Sequence, residues 1–99
     1  MGRHGGILTK SESRYLGRVA ALGCAICNLL HNEFNPNVEI HHVREGQGMA
    51  QRAQHWLGVP LCIACHRGPR GIHGDRSILR QLKCDEMDLL SWVISRLNA

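Results

Sequence analysis

Two Cys-x-x-Cys pairs, Cys24-Ala25-Ile26-Cys27 and Cys62-Ile63-Ala64-Cys65, constrain this chain more than any other feature of it. Four thiolates in two short knuckles meet the tetrahedral, sulfur-rich demand of Zn²⁺. The tight loop in each pair also lets backbone N–H groups point at sulfur. Such pairs have two other readings, redox motifs and disulfides. A redox pair belongs at the start of a helix after a buried strand in a thioredoxin-like chain, and this sequence has no such pattern. No apolar h-region follows Met1-Gly2-Arg3-His4, so the chain reads as cytoplasmic, where disulfides are disfavoured. A structural zinc is the expectation. Cys84 has no partner pair and reads as a small core or cap residue.

Composition supports a metal. The chain has 99 residues, enough for one domain, and only 4% of them are aromatic. A domain this size buries a modest fraction of its surface, so its hydrophobic core is thin. Against that stand five cysteines and seven histidines. A metal can contribute the folding free energy that the core lacks. No apolar run is long enough to span a membrane. The net charge of +4 is concentrated. Residues 41–83 hold Arg44, Arg52, Arg67, Arg70, Arg76, Arg80 and Lys83 against Glu45 and Asp75. A basic field rich in arginine suits phosphate, since guanidinium can grip it with two hydrogen bonds, and the expected partner is nucleic acid.

The order of elements predicts an α+β fold. Residues 1–8 read as a flexible tail, and 9–99 as one domain. Thr9-Lys10-Ser11-Glu12 fits a capping box, followed by apolar residues at helical spacing and by Gly23, which predicts a helix over 10–22. Cys24–Cys27 reads as a tight turn, and the Asn-rich stretch 28–37 as turns. Val38–Val43 alternates and reads as a strand, 44–55 as a surface loop, and Trp56–Leu61 as a second strand. A single helical turn then follows Cys62-x-x-Cys65. Asp75 or Ser77 caps a short helix over 76–83, and a last helix over 86–97 carries Met87, Leu90, Val93, Ile94 and Leu97 on one face. Helices over 10–22 and 76–97 thus flank a core at 24–74.

Histidines cluster around this core. His41 and His42 end the first strand, His66 follows the second knuckle, and His73 lies seven residues on. If zinc joins the knuckles, the chain folds back and these imidazoles meet. Neighbouring strand residues point to opposite faces, so His41 and His42 share a site only where the strand ends. One can then bind a metal while the other takes a proton from water. Alternatively they are spare zinc ligands or polar surface residues.

The sequence His41-His42-x-Arg44-x-Gly46-x-Gly48-Met49, then Val59-Pro60-Leu61-Cys62-x-x-Cys65-His66, then Gly71-Ile72-His73, resembles the HNH (ββα-metal) endonucleases with a four-cysteine zinc scaffold. More narrowly it resembles the phage Ref family, recombination-enhancement nucleases that work with RecA filaments. The resemblance covers about residues 24–74 and implies a small ββα-metal, treble-clef-like fold. It implies hydrolysis of DNA phosphodiester bonds, leaving 3′-hydroxyl and 5′-phosphate ends. His42 would be the general base, and His41, His66 and His73 would hold one divalent ion, Mg²⁺, Mn²⁺ or Zn²⁺. Three imidazoles suit the softer ions better than Mg²⁺. Arg44, Arg67 and Arg70 flank the site and would hold phosphate, with Arg52 and Trp56 as further DNA contacts, although a tryptophan is more often core. The central Asn of HNH has no counterpart here, and Gln54 or, preferably, His55 would orient the base in its place. A second reading, from another class, is a non-catalytic zinc module that docks on nucleic acid or on a recombinase. That module needs only the four cysteines and leaves the histidines surplus.

Overall fold

The protein is described here from a computed structural model, which covers residues 8–43 and 55–99. The expected tail at 1–8, apart from Leu8, and most of the expected loop at 44–55 lie outside the described residues.

Thr9 and Glu12 set the first helix. The Thr9 hydroxyl accepts from the Glu12 N–H at 3.0 Å, and Glu12 Oε1 accepts from the Thr9 N–H at 2.9 Å. Two otherwise orphaned donors are thereby satisfied, and α1 runs Lys10–Ala21. Gly23 ends it in the left-handed region, φ 80°. A side chain there would also meet the Phe34 ring at 2.8 Å, so only glycine fits.

The expected turn at 24–27 is instead the start of a helix, α2, Ala25–His31. Cys24 occupies the N-cap, and its sulfur accepts from the Cys27 N–H at 3.4 Å. A thiol thus fills the position usually held by Ser or Asp, which the sequence pattern does not advertise. Asn32, at φ 54°, stops the helix in the left-handed conformation that asparagine tolerates.

Two antiparallel strands follow, β1 (Val38–His42) and β2 (Gly58–Cys62), paired from Val38↔Cys62 to His42↔Gly58. Every residue of β2 is buried. It packs against α1, α2 and the helices at Ile63–Arg67 and Glu86–Leu97. Pro60 lacks an N–H, but in a two-stranded sheet each strand keeps a free edge where that costs nothing. Trp56 lies outside β2 and is 40% exposed, with the Tyr15 ring 5.0 Å away, so it is not core.

A short helix, α3 (Ile63–Arg67), leaves β2 directly. Then come α4 (Ser77–Leu82) and α5 (Glu86–Leu97). Asp75 Oδ1 accepts from the Ser77 N–H at 2.8 Å at the entry to α4. Asp85 and Asp88 form a second reciprocal capping box ahead of α5. The whole is a small α+β assembly with a two-stranded sheet and helices. Among the described residues no helix is long and apolar enough to cross a membrane.

The buried face of α5 differs from expectation. Leu89, Leu90 and Val93 are buried, whereas Met87 and Ile94 are 46% and 49% exposed. The inward stripe runs from half-buried Glu86 through buried Leu89, Leu90 and Val93 to half-buried Leu97, and its first member is a carboxylate rather than an apolar residue. Hydrophobicity alone therefore rotates the stripe toward the wrong side. On the opposite flank Trp92 Nε1 and Arg96 Nη2 both donate to Asn28 Oδ1, at 3.2 and 3.0 Å, tying α5 to α2.

These burials predict a contrast. Leu89→Ala removes a fully buried side chain and is expected to cost about 2–5 kcal/mol, whereas Ile94→Ala is expected to stay within about 1 kcal/mol. Urea unfolding of the two variants measures both, and a larger loss for Ile94 would overturn the assigned face.

Candidate metal and active site

The described residues hold two clusters of metal-binding side chains. The first joins Cys24, Cys27, Cys62 and Cys65, whose sulfurs all lie within 4.8 Å of one another. Cys24 and Cys27 come from the cap and first turn of α2, and Cys62 and Cys65 from the end of β2 and from α3. A tetrahedral Zn²⁺ with bonds of about 2.3 Å spaces its sulfurs about 3.8 Å apart. The Cys27 and Cys62 sulfurs stand 3.8 Å apart. This arrangement could hold one zinc ion.

The charges point the same way. A hydrogen bond from Cys65 pulls the Cys24 thiol down to about 5. Burial, then the neighbouring Cys24 charge, pushes Cys27 up to about 12. The bond to Cys24, together with burial, drives Cys65 higher still. Left to themselves, these groups favour one thiolate and resist the next. A dication supplies the charge that lets all four ionise. Cys84 belongs to neither cluster. It is half-buried against the core, and burial raises its thiol.

The second cluster joins His41, His66 and His73, with one ring nitrogen of each within 4.8 Å of the others. The ring centroids are 5.2 Å apart for His41–His66, 5.2 Å for His41–His73 and 4.7 Å for His66–His73. His41 comes from β1 and His66 from α3. His73 reaches them because the chain after α3 folds back. The His73 N–H donates to the His66 carbonyl at 2.9 Å, and the Ile72 N–H to the Cys65 carbonyl at 3.0 Å. Gly71 allows this close return, since a Cβ there would lie 2.6 Å from the Cys65 carbonyl oxygen.

His42 borders the same space. A cavity of about 220 Å³ is lined by Ile40, His41, His42, His66 and His73. Adjacent strand residues reach one cavity because β1 ends at His42. The His55 ring lies 5.7 Å from the His42 ring and nearly perpendicular to it, at 82°. The structure thus brings together the sequence-predicted His41, His42, His55, His66 and His73. Arg44 and Arg52 lie outside the described residues.

Arg67 is exposed and paired with a carboxylate. Its Nε donates to Glu39 Oε1 at 3.0 Å, and its Nη2 donates to Glu39 Oε2. Arg70 is exposed and donates to Ser77 Oγ at 3.0 Å and Gln81 Oε1 at 2.6 Å.

Two carboxylates that sequence reasoning missed complete the site. His66 Nδ1 lies 2.7 Å from Glu39 Oε1, and His41 Nε2 lies 2.6 Å from Glu86 Oε1. Glu39 is held at about 2, well below the usual carboxylate range, by Arg67 and then by His66. Burial raises Glu86, but hydrogen bonds from His41 and Arg76 outweigh it and leave that carboxyl below its ordinary value. Burial lowers His41, against the pull of Glu86. One signal was available: Glu39 and His41 are two residues apart on a strand and so share a face. Glu86 carried none, because an acidic residue in a first helical turn is ordinary.

With this geometry in place, comparison with known families is decisive. Residues 8–83 match the family described as recombination enhancement, RecA-dependent nuclease. The chain belongs to that family. No curated protein matches it. The RecA-dependent nuclease match contains both knuckles and His41, His42, His55, His66 and His73, and it stops short of Glu86 and α5. Membership identifies the chain as a nuclease and links it to recombination enhancement.

A zinc ion bound by these four cysteines would contribute on the order of 10–16 kcal/mol to this RecA-dependent nuclease, more than the net stability of most small domains. Cys62→Ser is therefore expected to lose the zinc and most of the helical circular dichroism together. Metal analysis and far-UV spectra check this, and a variant that keeps one zinc per chain at unchanged melting temperature would contradict it.

Proposed function

We propose that this chain is an HNH-type, metal-dependent endonuclease that hydrolyses DNA phosphodiester bonds, acting with a RecA-type filament. One observation carries the reading: three imidazoles converge within 4.8 Å, apart from the cysteine cluster, in a cavity that His42 also lines. A purely structural zinc module has no use for that second cluster.

The donor set fits a borderline divalent ion. Three neutral imidazoles suit Zn²⁺ or Mn²⁺, while Mg²⁺ prefers oxygen ligands. His41, His66 and His73 would hold the ion, and His42 is left over for proton transfer. A divalent ion held there supplies positive charge where negative charge builds up on the phosphate and the leaving oxygen. His42 takes the proton from the attacking water. His55, edge-on to His42, fixes the plane of that ring in place of the missing asparagine. Arg70, already held by Ser77 and Gln81, offers its exposed guanidinium to a flanking phosphate. Family membership supports DNA as substrate and a recombinase filament as partner. Cys24, Cys27, Cys62 and Cys65 are assigned to structural zinc, and the ββα-metal arrangement of β1, β2 and α3 is assigned to the HNH class.

The test is plasmid or filament-bound DNA nicking with each divalent ion in turn. His42→Ala is expected to lower the rate by about 10²–10⁴-fold while zinc content and fold persist. Chelation of the second metal should abolish nicking reversibly. Cleavage by His42→Ala at the wild-type rate would remove His42 from its role. Absence of any second metal in the wild type would favour the docking-module reading.

A further inference from the structure

The two carboxylates that touch the histidine cluster share a design. His41 Nε2 meets Glu86 Oε1 at 2.6 Å, and Glu86 Oε2 accepts from Arg76 Nη2 at 2.9 Å. His66 Nδ1 meets Glu39 Oε1 at 2.7 Å, and Glu39 accepts from both Arg67 Nε and Arg67 Nη2. In each case an arginine holds a glutamate, and the glutamate holds one nitrogen of an imidazole. Arg76 also donates to the Ile72 carbonyl at 3.3 Å, next to His73. A carboxylate held from both sides cannot rotate away. Because the arginine beside it stays charged, it remains an acceptor and requires an N–H from the ring.

We propose that Glu39 and Glu86 are positioning residues that fix the orientation and tautomer of His66 and His41, with Arg67 and Arg76 holding the two carboxylates in place. This rests on the reading of His41, His66 and His73 as a divalent-metal site. The occupied nitrogens then define the free ones. Metal binding would then fall to His41 Nδ1 and His66 Nε2. The two glutamates also bring negative charge next to three neutral ligands, which favours a dication there. His73 is the exposed member, and no carboxylate of this kind touches it among the described residues. Glu86 sits on α5, beyond residues 8–83, so a helix outside the family match completes the site.

The experiment is a Co²⁺ titration of the full chain loaded with zinc at its cysteines, read by visible absorption. Two-bond ¹⁵N correlation spectra of the histidine rings accompany it. Glu86→Ala and Glu39→Ala are each expected to weaken Co²⁺ binding about 10–100-fold, with cysteine-bound zinc unchanged. Glu86→Gln and Glu39→Gln keep an oxygen acceptor without its charge and should recover part of that loss. They also carry the test if an alanine variant fails to fold. Wild-type spectra should show His41 protonated at Nε2 and His66 at Nδ1. Affinities within twofold of wild type in all four variants, or the opposite tautomers, would overturn the proposal alone. Absence of Co²⁺ binding in the wild type, or unchanged binding in His73→Ala, would overturn the metal-site reading and the proposal with it.

Discussion

Four sulfurs meeting at one point are the constraint on which the rest of this small protein depends. They join the cap of α2 to the end of β2 and the first turns of α3, segments 35 or more residues apart in sequence. Without that junction the buried strand would have to be held by a core that contains few large side chains. Ile26, Leu61 and Leu89 are the largest fully buried apolar residues, and no tryptophan or phenylalanine joins them among the described residues. Burying such side chains contributes roughly 1.5–3 kcal/mol each, which the entropy of ordering the chain largely offsets. A tetrahedral ion bound by four thiolates supplies a comparable or larger contribution from one locus, so the thin core and the cysteine pairs are two sides of one solution.

The histidine cluster depends on that solution twice. His66 directly follows Cys65, so the knuckle that fixes the cysteine also fixes where the imidazole begins. His41 lies on the strand that pairs with β2, three positions from the residue opposite Cys62. The remaining freedom, rotation of the rings, is limited by Glu39 and Glu86 and by the arginines behind them. Position is thus set by the backbone and orientation by side chains from three further places in the chain.

Local chemistry made much of this legible in the sequence. The Thr9–Glu12 capping box, Gly23 as terminator, the existence of two strands and the cysteine and histidine sets all follow from motifs that act over a few residues. Where the reading failed, a longer-range or unusual interaction decided. The Cys24 sulfur caps a helix where a turn was expected. The α5 stripe begins with Glu86, because His41 draws a carboxylate inward, and Met87 and Ile94 face solvent in consequence. Trp56 rests on Tyr15 at the surface rather than in the core. The pairing of Arg67 with Glu39 was not legible either, since it needs the fold to bring α3 against β1.

The register of the two strands has a wider meaning. Side chains of a strand alternate between faces, so a slip of one residue between β1 and β2 would exchange His41 and His42. The roles proposed for the two imidazoles would then be exchanged. Cys62, opposite Val38 at the end of the ladder, pins the strand against that slip. A zinc ion bound by the knuckles would therefore fix register as well as hold the segments together, with Cys62 three ladder positions from the partner of His41. An insertion or deletion of one residue within β1 or β2 would therefore disturb the cysteine and histidine clusters together, because both hang on the same ladder.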